Sequence, residues 1–386
     1  MPDWPTEPLH KLVSQHEPLL VVPAADETVS FVGVRWYGAG LFVREQRKGS
    51  QVKGKCYALK PGTLIYNRLF AWKQSFAVVP DEFQGMVVSN EFPQFDVDST
   101  MVTPEFLAVY CSSPSFADKA LGLSTGSAAV SRNRLKEEDF LGLSIKRPPP
   151  TAQAQIVEVM ATVDRYIQTL DTEELSLKTL FAAARQSMLA TAPKVPLASL
   201  CSVDAKLVDP RSGEYADLPH IGVDAIEKNT GRITSIRSAR EDGMISGKYL
   251  VSDRDVVYAK IRPALKKVAF PGFVALCSAD AYPLTPREGV SPALLREVLL
   301  EDHFTEQVTA LSTRLKMPKV NRKELFSTVV SMPSTEDERE RVVTALEGIR
   351  RQIDAVAREV DRLKTARAAL LDALLSQTVE ISAVPA

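Results

Sequence analysis

The chain has 386 residues, 45% hydrophobic and 25% charged, enough material for two or three globular cores. A formal charge of −1 excludes a protein that grips nucleic acid by bulk positive charge, and no run approaches the roughly 20 apolar residues of a membrane span. Four cysteines that lie far apart, none in a CxxC pair, and only four histidines argue against a zinc site, and nothing demands an oxidising compartment, so the cytoplasm is the expected location.

In chain order, Met1 to Leu12 carries Asp3 and Glu7 and no apolar stretch, so no secretory signal is expected there. Thr63–Tyr66 reads as a strand, rich in β-branched and aromatic residues. After Pro148-Pro149-Pro150, the residues Ile156, Met160, Val163, Ile167, Leu170, Leu177, Phe181, Ala184 and Met188 recur in steps of four and three, broken only by Glu174. That is the apolar seam of a long helix. Further on, Asp255–Tyr258 reads as a strand, Lys266–Phe270 and Phe273–Leu276 as two strands around a Pro271-Gly272 turn, and Pro292–Leu311 as helical. After Pro333 a second seam runs through Val342, Leu346, Ile349, Ile353, Val356, Val360, Leu363, Leu370 and Leu374, broken only by Arg367.

These elements repeat. Pro8-Leu9 returns as Pro196-Leu197, Gly33-Val34 as Gly222-Val223, Ile65-Tyr66 as Val257-Tyr258 and Val88-Ser89 as Cys277-Ser278, 188 to 192 residues on. Leu123-Ser124-Thr125 returns as Leu311-Ser312-Thr313 and Asn133 as Asn321, both 188 residues on, and the two seams match at a constant 186. Matches in one order over such a distance imply two copies of one unit. Two equal seams in one chain cover each other most economically as an antiparallel pair. That pairing would put one globular domain at each end and relate the halves by a pseudo-two-fold axis. The competing arrangement lays each helix on its own domain. Either way each half is an α+β domain with mostly antiparallel strands, followed by a helix of about 40 residues and about 60 Å.

Catalytic motifs are missing. Gly38-Ala39-Gly40 is too short for a phosphate-binding loop, and Pro148-Pro149-Pro150 lacks the preceding Asn or Asp of an amino-methyltransferase motif. No Gly-x-Ser-x-Gly elbow occurs. His10, His16, His220 and His303 are scattered, and Glu137-Glu138-Asp139 beside Lys136 reads as a solvated face. Local positive charge is more informative. Lys260, Arg262, Lys266 and Lys267 follow Tyr258 with Asp280 as the one acid between Tyr258 and Arg287, and Arg314, Lys316, Lys319, Arg322 and Lys323 cluster with no acid between them. The first half has a thinner set: Tyr66, Asn67 and Arg68, then Lys73, then Arg132 and Arg134. Such residues hold phosphates and read base edges. The candidate DNA contacts are therefore Tyr66, Asn67, Arg68, Lys73, Arg132, Arg134, Tyr258, Lys260, Arg262, Lys266, Lys267, Arg314, Lys316 and Lys319. Strand alternation would put Lys260 and Arg262 on one face with Tyr258.

The junctions resemble those of a known family. Leu123-Ser124-Thr125-Gly126-Ser127 through Ser131-Arg132-Asn133-Arg134-Leu135, continuing into Ile145-Lys146-Arg147-Pro148-Pro149-Pro150, is similar to the passage out of the first recognition domain in type I restriction–modification specificity subunits. Val257-Tyr258-Ala259-Lys260-Ile261-Arg262-Pro263, followed by Cys277-Ser278-Ala279-Asp280, resembles a feature of the second. The resemblance covers roughly Pro8 to Gln377. It implies two α/β target-recognition domains, residues 1–147 and 193–332, and two spacer helices, residues 148–192 and 333–380, forming an antiparallel coiled coil. It also implies a non-catalytic reader of a split double-stranded DNA target. Its partners would be two methyltransferase subunits that bind S-adenosylmethionine and a translocating nuclease that uses ATP and Mg. No cofactor and no membrane contact are expected of this chain. Two departures stand out. Ala152-Gln153 and Glu338-Arg339 occupy places where the family often has Glu-Gln, which bears on how each helix starts. Phe70-Ala71-Trp72 stands where the second copy has Arg262-Pro263, which suggests that the domains read different bases. The rival readings are an enzyme of unrecognised type with tandem catalytic domains and a coiled-coil scaffold that binds only protein.

Overall fold

The computed structural model describes residues 3–124, 133–312 and 318–379. The chain divides into two compact units, Met1–Thr169 with Glu359–Ala386, and Leu170–Arg358. The first globular part runs β1 (Thr6–Pro8), β2 (Val13–Gln15), β3 (Leu20–Val21), β4 (Thr28–Val34), β5 (Leu41–Lys48), β6 (Cys56–Ala58), β7 (Leu64–Tyr66), β8 (Phe76–Val78), β9 (Val87–Val88) and β10 (Gln94–Val97). Helices α1 (Pro104–Cys111), α2 (Pro114–Leu123) and α3 (Glu137–Gly142), strand β11 (Ser144–Lys146) and the long helix α4 (Pro150–Leu189) follow. The second repeats this order: β12 (Lys194–Pro196), β13 (Cys201–Ser202), β14 (Leu207–Val208), β15 (Pro219–Ile221), β16 (Arg237–Ser238), β17 (Lys248–Val251), β18 (Val256–Ala259), β19 (Val268–Ala269), β20 (Ala275–Cys277) and β21 (Ala281–Pro286). It ends on α5 (Pro292–Leu299), α6 (Asp302–Ser312), α7 (Arg322–Phe326), β22 (Val329–Ser331) and α8 (Glu336–Leu375). No described helix is long and apolar enough to cross a membrane.

Sheet topology repeats as well. Each globular part has a two-stranded sheet, β1-β11 or β12-β22, and a four-stranded sheet, β2-β10-β7-β8 or β13-β21-β18-β19. Each also has a five-stranded sheet, β3-β6-β9-β4-β5 or β14-β17-β20-β15-β16. Pairing is antiparallel except between β4 and β9 and between β15 and β20. The expected hairpin around Pro271-Gly272 is absent. β19 pairs with β18 in the four-stranded sheet, whereas β20 pairs with β15 and β17 in the five-stranded one. The helical stretch Pro292–Leu311 is two helices, α5 and α6, separated at Leu300-Glu301.

Helix starts follow local chemistry. Thr103 and Ser113 each accept a backbone N–H through the side-chain oxygen, from Phe106 and Phe116 at 3.2 Å, and proline follows each cap. The family departure at the long helices has a simple physical reading. Gln153 Nε2 donates to the Pro148 carbonyl at 3.0 Å, and Arg339 Nε donates to the Pro333 carbonyl at 2.9 Å. Different side chains thus serve one role at the two starts. Glu338 and Thr335 add a reciprocal capping pair at α8.

Both globular parts pack on α4 and α8, but with different chemistry. In the first unit, Ile156 and Met160 of α4 and Leu371, Leu374 and Leu375 of α8 join one core with Tyr66, Phe76, Phe95, Phe116 and Phe140. The start of α4 therefore lies against the end of α8, and Arg367 Nη2 meets the Asp164 carboxylate at 2.9 Å. In the second unit, Phe181 and Leu189 near the end of α4 share a core with Val342, Leu346 and Ile353 near the start of α8. The helices are antiparallel in each unit. Here a buried charge network sits beside the apolar core. Glu297 of α5 meets Arg185 at 3.0 Å and Arg350 at 2.7 Å, Arg296 at 2.8 Å, and Arg296 also pairs with Glu347. The Phe181 ring lies under both Arg185 and Arg350, at 4.7 and 4.8 Å. Arg185 and Arg350 also donate to the Asn229 and Thr230 carbonyls, tying the β15–β16 connection to the helices. Gly231 in that connection has φ +71°, and a Cβ there would lie 2.1 Å from the Val268 carbonyl oxygen. Glu174, the break in the first seam, pairs with Lys178 at 2.9 Å.

Candidate nucleic-acid interface

Strands β7 and β18 lie inside their sheets, and this decides the fate of the aromatic candidates. Tyr66 is fully buried among Phe76, Phe95 and Phe140, and its hydroxyl donates to the Leu135 carbonyl at 3.2 Å. Tyr258 is buried edge-on to Phe304. Burial pushes both phenols above their ordinary pKa. Neither ring offers surface to a partner.

The remaining first-unit candidates divide by their neighbours. Asn67 is buried and caps the 3-10 turn Arg68–Lys73, its Oδ1 accepting from Leu69 N–H at 3.0 Å. Arg68 pairs with Glu137 of α3, so Glu137 is not a solvated face, and Arg134 pairs with Glu91. Lys73 has no carboxylate among the described residues. Its ammonium stands 3.6 Å from the Trp36 ring centroid. Arg132 lies outside the described residues.

The second unit gathers cations more tightly. Strand β18 stops at Ala259, so the alternation expected through Arg262 does not hold. Lys260 is buried, with Nζ 4.8 Å from the Tyr282 ring centroid, and the Arg322 guanidinium sits over the same ring at 5.7 Å. Burial first, then the charge of Lys319, opposed by Asp280, and then Arg322 hold the Lys260 pKa below the ordinary lysine value. Arg262 takes a left-handed φ of +48°, caps the 3-10 turn Pro263–Leu265 and is exposed. Its N–H donates to the Pro318 carbonyl at 2.8 Å, and no ion pair joins it to Asp255 or Asp280 among the described residues. Lys319 is 3.8 Å from Asp280. Lys266 pairs with Asp302, and Lys267 donates to the Val223 carbonyl at 2.7 Å. Arg314 and Lys316 lie outside the described residues.

The structure thus brings Lys260 and Arg322 together over Tyr282, with Lys319 close enough for its charge to act on Lys260, Arg262 nearby in the chain and Asp280 the acid among them. Arg322 belongs to the basic run but was not singled out by sequence; its place over Tyr282 depends on the pairing of β21 with β18. A buried ammonium beside two further cations is a place where an anion would be stabilised. Elsewhere chemistry is sparse. All four cysteines are buried and unpaired, and burial pushes the Cys201 and Cys277 thiols up to about 12. No cluster of three metal-ligating side chains occurs among the described residues.

No family model matches the chain. It is 28% identical over 162 residues to the specificity subunit of the type I restriction enzyme EcoDI of Escherichia coli. The match takes in 42% of this chain and spans about a third, 35%, of that relative. Two solved structures share the fold over nearly the whole length. One is the S subunit of a type I restriction–modification system from M. genitalium, with TM-score 0.54, 10% identity, 98% of this chain and 97% of that one. The other is a chain from a structural study of complex assembly and conformational transition in a type I system, with TM-score 0.52, 16% identity, 97% of this chain and 98% of that one. Part of this chain's sequence is thus similar to one type I restriction–modification specificity subunit, and its duplicated fold is shared over nearly the whole length with chains of two such systems.

Proposed function

We propose that this chain reads a two-part target in double-stranded DNA, with residues 1–147 and 193–332 each reading one half, and performs no chemistry itself. The pair of cations over Tyr282, Lys260 and Arg322, with Lys319 beside Lys260, supports this reading most directly. In a chain of net charge −1, positive charge concentrated against itself is a poor device for folding and a good one for phosphate. The helices within residues 148–192 and 333–380 act as the spacer that fixes the gap between the half-sites. Two methyltransferase subunits carrying S-adenosylmethionine dock on the chain, and a nuclease that uses ATP and Mg completes the complex, all in the cytoplasm.

The test is to co-express the chain with the methyltransferase encoded beside it and determine the methylated motif. Exchanging residues 1–147 for those of a relative should change one half of the motif and leave the other. A change in both halves would end the idea of independent readers. A chain that never co-purifies with a methyltransferase would end the whole reading, and one that co-purifies but binds no DNA would be a protein scaffold.

A further inference from the structure

The turn between β4 and β5 combines three features. The first is conformation. Tyr37 has φ +59° although it is not glycine, followed by Gly38 at +68° and Gly40 at +79°, and Gln74 opposite also has φ +59°. Such backbone costs about 1–3 kcal/mol for each non-glycine residue and persists only where its surroundings enforce it. Here they do. Tyr37 N–H donates to the Lys73 carbonyl and Gly38 N–H to the Gln74 carbonyl, both at 2.9 Å, and Arg35 N–H to the Gly40 carbonyl at 2.8 Å. Gly38 admits no side chain, since a Cβ would lie 2.9 Å from Ser112. The second is exposure: Trp36 is 42% and Tyr37 61% exposed on this rigid turn. The third is the kind of cation beside them. Lys73 rests on Trp36, and the Arg35 guanidinium lies 4.9 Å from the Phe42 ring centroid. Neither has a carboxylate partner among the described residues. Trp36, Phe70 and Phe42 line an open groove of about 500 Å³.

Tyr37 is held outward on strained backbone, and Trp36, packed on Phe70 at 5.3 Å, still leaves much of its ring uncovered. A cation resting on a ring can pass to a phosphate without leaving a carboxylate beside it, which Arg68 and Arg134 cannot do. We infer that Trp36 and Tyr37, with Lys73 and Arg35, form the duplex-contacting tip of the first unit. The rings pack on sugar and base edges, and the cations take the flanking phosphates. This rests on the DNA-reading function proposed above, and assigns its first half-site to residues outside the basic runs.

The experiment uses the full chain co-expressed with its methyltransferase and a pool of randomised DNA duplexes. Wild type should select a two-part motif. Trp36→Ala and Tyr37→Gly should lose sequence information in one part only, and bind the wild-type motif about tenfold more weakly. Tyr37→Gly removes the left-handed strain, so its melting temperature should hold or rise; a fall in binding with intact melting cannot come from misfolding. Lys73→Ala should lower the slope of log affinity against log salt by about one, while Trp36→Ala leaves that slope unchanged. Selection of both parts at undiminished affinity by well-folded Trp36→Ala and Tyr37→Gly overturns the inference and spares the DNA-reading function. Loss of the methyltransferase from either variant also overturns it, marking the turn as a protein seat. If wild type selects nothing, the DNA-reading function falls and this inference with it.

Discussion

The two units are copies in topology and opposites in how they hold their helices. The first fastens α4 and α8 with apolar side chains and the Asp164–Arg367 pair. The second buries three arginines and Glu297 at the corresponding junction, with the part-exposed Glu347 beside them. The difference follows from one connection. Between β4 and β5 the first unit has a short turn that stays out and presents Trp36 and Tyr37. Between β15 and β16 the second has a long strap whose carbonyls at Asn229 and Thr230 accept from Arg185 and Arg350. A duplicated fold can thus keep its frame while the same loop becomes a display surface in one copy and a clamp in the other.

The sharpest way to break this contrast is Glu297→Ala. It leaves Arg185, Arg296 and Arg350 in a buried site with their shared partner gone, and should cost about 3–5 kcal/mol. Hydrogen exchange should quicken in α5 and the 222–236 strap and stay unchanged in the first unit. Acid sharpens the same point. Burial raises the Glu297 pKa, but Arg296, Arg350 and Arg185 outweigh it and hold the group below the ordinary glutamate value. Its contribution is therefore present above the unfolded value, near 4.5, and is lost as pH falls through the depressed folded value. Second-unit stability should drop over that acid range in wild type and much less in Glu297→Gln.

The next effect is on binding. Lys260→Ala with Arg322→Ala removes two of the cations around Tyr282. The salt slope for duplex binding should fall by about two, and the melting temperature should change little, because the pair carries mutual repulsion as well as ring contacts. An unchanged slope with lower stability would make the cluster structural.

The legible parts of this molecule are those written in spacing. The seams at Ile156–Met188 and Val342–Leu374 and the 186-residue register mark the long helices and the duplication, because apolar period survives sequence drift. Even the breaks were informative, since Glu174 and Arg367 are where ion pairs sit. The site was less legible because side-chain direction depends on where a strand lies in its sheet. Leu64-Ile65-Tyr66 and Val256-Val257-Tyr258-Ala259 are continuous apolar runs, the mark of strands covered on both faces, and that signal could have withdrawn Tyr66 and Tyr258. Arg262 escaped alternation because the backbone turns left-handed there. The acids that occupy Arg68, Arg134 and Lys266 come from 36 to 69 residues away, beyond any local pattern.

Tyr66→Phe tests the core reading of the first unit. It removes the hydrogen bond to the Leu135 carbonyl and keeps the ring stack, for a cost of about 1 kcal/mol. Duplex affinity at saturating folded protein should not move. A loss of sequence information in the first half-site would mean that the hydroxyl reaches a partner after all.

The smallest effect is expected at Arg367→Met. The arginine is the polar interruption in an otherwise apolar seam, and it occupies the same kind of place on α8 that Arg350 occupies in the other unit. Its partner differs in one respect that sets the energy: the Asp164 side chain is 35% exposed, whereas that of Glu297 is 1% exposed. A carboxylate that water can reach is not stranded when its partner goes, so the loss is that of a surface pair, below about 1 kcal/mol. Methionine keeps the long apolar stem that packs along the seam. Denaturant unfolding of Arg367→Met should therefore shift little, against several kcal/mol for Glu297→Ala. If the two substitutions cost the same, the helix junctions are energetically alike and the contrast between display turn and clamped strap has no thermodynamic content.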